Sequence, residues 1–135
     1  MKPIRKEDYF ECFAFGDSPE MADELLALVL SGKKTATVSV VLEGEPTPGV
    51  GDLSLVLDGQ GNPACVIKTV HVEVVRFCDL TWDMVKLEGE DETFEQWRSG
   101  NFGYWTCDAA RRGYDFSDQT PITYERFEVV EIIKS

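Results

Sequence analysis

Histidine is almost missing from this chain. The single one, His71, can form neither an acid–base pair with a second imidazole nor a histidine metal cluster, so it has a structural reading. The four cysteines, Cys12, Cys65, Cys78 and Cys107, include no C-x-x-C pair, and their spacing suits no zinc site. No apolar run approaches the roughly 18 residues of a membrane span. The start, Met1-Lys2-Pro3-Ile4-Arg5-Lys6, has a basic flank with no apolar stretch behind it, so no secretion signal is read. Free thiols in a reducing cytoplasm are therefore expected over two disulfides. Ser54 lacks a G-x-S-x-G setting, and the glycines at 49 and 51 form no P-loop. Neither a cofactor nor a metal is read from these residues.

Positive charge is also short. Thirteen Lys and Arg face 25 Asp and Glu, a net charge of −12. Phosphate contacts supply most of the affinity for long nucleic acids, so this balance counts against such a partner. It leaves room for a small ligand in a locally basic pocket.

What is present describes one domain over residues 1–135. Hydrophobic residues at 43% and charged residues at 28% suit a globular chain with a real core. No repeat, low-complexity segment or linker divides it. Tyr9, Phe10, Phe13 and Phe15 are expected to pack under the domain. Asp17-Ser18-Pro19-Glu20 reads as a helix start, with Asp17 or Ser18 as cap and Pro19 in the first turn. Ala22, Leu25, Leu26 and Val29 follow at helical spacing, and Gly32 can take the left-handed conformation that ends a helix.

Thr35 to Leu42 reads as a strand by its β-branched content. Residues 43–52 form a loop. Leu53–Leu57 and residues 64–77 read as strands joined by a turn at 58–62, and imperfect alternation in the second suggests a bulge. A short helix is expected over Leu80–Leu87, and another helical stretch starts at Thr93 and continues over residues 101–112. Pro121 opens a last strand. Strands joined by short turns, with helices near both ends, describe an α+β fold: a small mixed β-barrel with flanking helices.

The chemistry concentrates at Gly32-Lys33-Lys34-Thr35-Ala36-Thr37. Two ammonium groups and two hydroxyls follow a helix end, where cations are favoured. Such lysines often only serve the last carbonyls, and strand threonines often only fill a pleat. Lys34 and Thr37 would face opposite sides of a regular strand, so they converge only if residues 32–35 turn. Arg111-Arg112 is a second basic pair: a solvated helix end, or a phosphate clamp if folding brings it near Lys33 and Lys34. Trp82, Trp97, Phe102, Tyr104 and Trp105 read as packing residues, with one available to stack on a base. The run Glu88-Gly89-Glu90-Asp91-Glu92 reads as a solvated acidic loop, with a hard cation as the other reading.

Four stretches in this order resemble the ASCH family (activating signal cointegrator homology), a branch of the PUA-like folds. They are Phe15-Gly16-Asp17-Ser18, Gly32 to Thr37, Pro48-Gly49-Val50-Gly51-Asp52 and Tyr124-Glu125-Arg126-Phe127-Glu128-Val129-Val130. The resemblance implies a compact PUA-like barrel whose cleft takes RNA or nucleotide-derived ligands. Some members resemble amidohydrolases that deacylate acetylated cytidine through a Gly-basic-Lys-Thr-x-Thr turn and a distal glutamate. Carried over, these are Lys34, Thr37 and Glu88, with Glu90 and Glu92 as alternatives for the third. Lys33, Thr35, Arg111 and Arg112 are the ligand-binding candidates. The chain differs from the small amidohydrolases in its length and in an insertion from Phe94 to Arg112.

A threonine hydroxyl needs a base to become a nucleophile, and a lysine serves only as the neutral amine. Lys33 beside Lys34 is one local reason for such an amine; a paired carboxylate would pull the other way. Three functions remain in competition. One is a hydrolase acting on an acylated nucleoside such as acetylcytidine. Another is a module binding a nucleotide or short RNA without chemistry. The third is a ribonuclease, metal-aided or not.

Overall fold

The computed structural model describes residues 8–133. The reading of the basic start over residues 1–6 lies outside them. The chain forms strand β1 (Glu11–Phe13), helix α1 (Pro19–Leu30), strands β2 (Ala36–Val40), β3 (Leu53–Leu57) and β4 (Pro63–Arg76), helices α2 (Trp82–Val85) and α3 (Phe94–Arg112), and strand β5 (Pro121–Ile132). Two 3-10 turns, Phe77–Asp79 and Lys86–Glu88, flank α2.

The strands make one sheet in the order β1-β3-β4-β5-β2. β1 runs parallel to β3, and the other pairs are antiparallel. Register shifts at Val66/Ile67 and Thr69/His71 interrupt the long β4–β5 ladder. Each extra residue bends its strand and increases its twist. The result is a curled half-barrel with β1 and β2 at its two edges, the mixed α+β architecture expected for the PUA-like fold. β1 was not legible as a strand, because three residues show no period.

Ser18 caps α1, its hydroxyl accepting from Met21 N–H at 3.1 Å, and Pro19 follows at the first helical position. The Ala22, Leu25, Leu26 and Val29 face is buried. Leu25, Leu26 and Val29 meet Phe15, Val56, Cys65, Ile67 and Phe127 in one core. A second core lies at the other end of the sheet, where Phe77, Leu80, Val85, Trp97 and Trp105 pack on Ala36, Ile122 and Tyr124. The helical stretch expected from Thr93 through residues 101–112 is one helix, α3. Its start is a full capping box, with Thr93 and Gln96 bonding each other's backbone N–H. Phe77 stacks on Trp97 at 5.7 Å between ring centroids, which fixes the indole inside this core. All four cysteines are free. Among the described residues, no helix is long and apolar enough to cross a membrane.

Candidate functional site

The segment between α1 and β2 is a turn. Gly32 takes φ +84°, and the N–H groups of Lys33 and Lys34 both donate to Leu28 O at 3.0 Å. The α1 carbonyls are closed off by this backbone rather than by lysine side chains. Thr35 N–H then donates to Leu87 O at 2.7 Å, tying the segment to the turn after α2. β2 begins only at Ala36, so Lys34 stands before the strand and is free of its alternation.

Consecutive lysines therefore diverge. Lys33 is exposed, whereas Lys34 is 1% exposed. The Lys34 Nζ donates to Glu90 Oε2 at 2.7 Å, to Ala36 O at 3.1 Å and to Glu88 Oε2 at 3.4 Å. Three acceptors match the three protons of an ammonium. The Phe15 ring lies 5.4 Å from the same nitrogen. The charges that face Lys34 are thus two carboxylates and not Lys33, so the expected lysine–lysine repulsion has no place in this geometry.

Glu88 is 6% exposed, which corrects the reading of residues 88–92 as a solvated run. One carboxylate oxygen meets Lys34; the other accepts from Trp97 Nε1 at 2.5 Å. Burial pushes its carboxyl up to about 7, and Glu90 adds to the rise. Lys34 and the Trp97 hydrogen bond oppose it without cancelling it. Asp91 is raised as well, by burial and then by Glu90. Glu92 is exposed. Among the described residues, no group of three His, Cys, Asp or Glu is placed to hold a metal ion.

A cavity of about 380 Å³ opens beside this cluster. Lys34, Thr37 and Glu90 line it, with Asn101, Tyr104 and Trp105 of α3 opposite and Phe15 and Asp17 at one side. β2 is an edge strand, and both Thr37 and Val38 reach the cavity there. The lysine and the second threonine share one hollow. Of the three glutamate candidates, Glu90 stands on its wall, while Glu88 sits behind Lys34.

The remaining candidates lie elsewhere. Thr35 lines a different hollow, between the end of α1 and β5. Arg111 and Arg112 are both held by Asp108, and Arg112 also by Glu45 at 2.9 Å. Burial works to raise the Asp108 carboxyl, but the Tyr114 hydroxyl and the two arginines hold it below its usual range. Arg112 lines a smaller neighbouring cavity of about 230 Å³, with Ser39 and Tyr114. Neither arginine lines the cavity of Lys34, so folding does not assemble the four basic residues into one clamp.

Asn101, Gly100, Asp17 and Asp91 line the cavity without having been singled out for it. In the sequence Asp17 is a capping candidate and part of the Phe15–Ser18 stretch; Ser18 takes the capping role. For α3 a signal existed: residues 97, 101 and 105, and 100 and 104, recur at helical spacing on one face.

Comparison with known proteins supports the fold and the lineage together. The family model of the ASCH domain matches residues 11–131. A crystal structure from Enterococcus faecalis V583, described under the family model DUF984, is 31% identical with a TM-score of 0.83; the match covers 90% of this chain and 77% of that one. An ASCH domain from Lactobacillus crispatus JV V101 is 25% identical with a TM-score of 0.82, covering 93% of this chain and 83% of that one. An ASCH protein of Zymomonas mobilis, crystallised as a point mutant, shares the fold at 14% identity and TM-score 0.56, covering 92% and 71%. No curated protein matches the chain.

Proposed function

The chain belongs to the ASCH domain family, and from that premise we propose that it is a small hydrolase that deacylates a modified nucleoside such as acetylcytidine. One observation carries this reading: a buried, fully partnered Lys34 shares a cavity with Thr37, and its closest partner, Glu90, stands on the cavity wall.

The groups suit amide cleavage by a covalent route. The base this route needs is Lys34 as its neutral amine, with the buried Glu88 carboxyl against it at 3.4 Å. The neutral amine takes the Thr37 proton as Oγ1 attacks the acyl carbonyl carbon. The carbon–nitrogen bond breaks, and that proton goes to the leaving amino nitrogen. Water then cleaves the acyl–threonine ester, releasing the carboxylic acid and restoring the hydroxyl. Glu90 holds Lys34 from the cavity side; Glu88 and Trp97 position it from behind.

The cavity chemistry favours a nucleoside over an RNA chain. Its lining has Asp17, Glu90 and Asp91 against one lysine, and that lysine is already matched. A phosphate would meet uncompensated negative charge. A binding module without chemistry is the second reading, favoured by the saturation of the Lys34 donors.

Thr37→Val tests the proposal with little change of shape. Thr37 is half-buried on an edge strand, so the variant should fold and melt like the parent. We expect it to bind acetylcytidine and to release no acetate, while the parent releases acetate and cytidine in equal amounts. Turnover persisting in Thr37→Val would remove the nucleophile. Binding with no turnover by the parent would favour the module.

A further inference from the structure

Gly100 sits in the middle of α3 with an ordinary helical backbone; it is not among the positive-φ glycines. Glycine is the poorest helix former after proline, and alanine is the best. A neighbour that needs the space is the usual reason for keeping a glycine there. Here a Cβ would meet no heavy atom within 4 Å. The protein itself makes no use of the missing side chain. What Gly100 does face is the cavity of Lys34 and Thr37, which it lines.

We propose that the bare backbone at Gly100 is a ring subsite: it receives the face of the flat, uncharged base of the nucleoside, an inference that rests on the reading above. Three features of α3 suit such an occupant. Tyr104 lies one turn on along the same face, lines the same cavity and is 46% exposed, available to stack on a ring. The Asn101 side-chain amide donates to Trp97 O at 2.9 Å, which fixes its orientation and leaves its carbonyl oxygen to accept from a ring amino group. Trp105 adds apolar wall below them. A methyl group at position 100 would thicken the wall by about a carbon's width, enough to lift a stacked ring off the backbone.

Gly103 supplies an internal control. It lies on the same helix, a Cβ there would also meet nothing within 4 Å, and it does not line this cavity. Alanine at either position relieves the same backbone penalty, so only the cavity separates the two.

The test uses the intact chain, with cytidine and acetylcytidine as probes. Titration calorimetry gives Kd, and thermal unfolding without ligand gives Tm, for the parent, Gly100→Ala and Gly103→Ala. Both variants should melt above the parent. Gly100→Ala should bind at least about tenfold more weakly, and Gly103→Ala should bind as the parent does. Gly100→Ala with unchanged Kd overturns the ring subsite and leaves the hydrolase reading standing. A lowered Tm for Gly100→Ala would mean that the fold needs the glycine, which also overturns it. A parent that binds neither nucleoside overturns both.

Discussion

Burial lifts the Glu88 carboxyl to about 7, from an ordinary value of 4.5. The folded chain then holds this proton more tightly than the unfolded chain does. Its contribution to stability is complete below pH 4.5 and is lost as the pH rises through about 7, a change of about 3 kcal/mol. Glu11, Asp91 and Glu125 are raised too and act in the same sense. Asp58, Asp79 and Asp108 are held below their usual value, so their stability is lost only at acid pH. Between these windows Glu88 dominates. The parent should lose stability from pH 5 to 8, and Glu88→Gln, which cannot ionise, should give a flatter curve. Parallel melting curves for the two would refute the raised carboxyl. Lys34 gives a second prediction. Lys34→Met leaves Glu88 and Glu90 facing each other without a cation, and breaking a buried pair this way costs about 3–5 kcal/mol. Adding Glu88→Gln removes one of the stranded charges, so the double variant should recover part of the loss in urea unfolding. A simple sum of the two single effects would show that the pair is not coupled.

The turn after α2 meets the turn after α1 at Gly89. Its φ is +73°, and a Cβ there would lie 2.6 Å from Lys33 O and 3.3 Å from Lys34 N. Both neighbours are backbone and cannot swing away. Gly89→Ala should therefore destabilise the chain by about 1–3 kcal/mol, since left-handed strain and the clash act together. Because Gly89 sits between Glu88 and Glu90, the same change should weaken ligand binding. A variant that melts like the parent would show that the two turns slide freely. This junction also marks the limit of what the linear order reveals. α1 was legible from its cap, its apolar spacing and Gly32. The long strands were legible from β-branched content, and the bulge in β4 from its broken alternation. Lys34 and Thr37 were legible as a pair through a resemblance and a required turn. The burial of Glu88 was not. Five acidic or glycine residues in a row look solvated, and only the fold brings Lys34 and the Trp97 N–H against one of them. Pairing across 54 positions leaves no local period to read.

For the molecule as a whole, the −12 charge decides how each class of ligand responds to salt. A basic protein releases counterions from RNA, and its affinity falls steeply as salt rises. In this chain both basic pairs are spoken for or dispersed: Arg111 and Arg112 lean on Asp108 and Glu45, Lys34 is buried, and Lys33 is exposed and forms no ion pair among the described residues. An approaching RNA chain would meet net repulsion, which salt screens. Its binding should therefore be weak and should not weaken further between about 50 and 200 mM salt, the range over which a basic binder loses about 10³–10⁵ in affinity. An uncharged nucleoside exchanges no counterions. Its Kd, measured by calorimetry over the same range, should stay within about twofold. Nucleoside 5′-phosphates should bind more weakly than the parent nucleosides at low salt, and the gap should narrow as salt rises. A steep loss of RNA affinity with salt would reveal a positive surface that the ion pairs of this fold do not provide, and would shift the function from a nucleoside cavity to a nucleic-acid face.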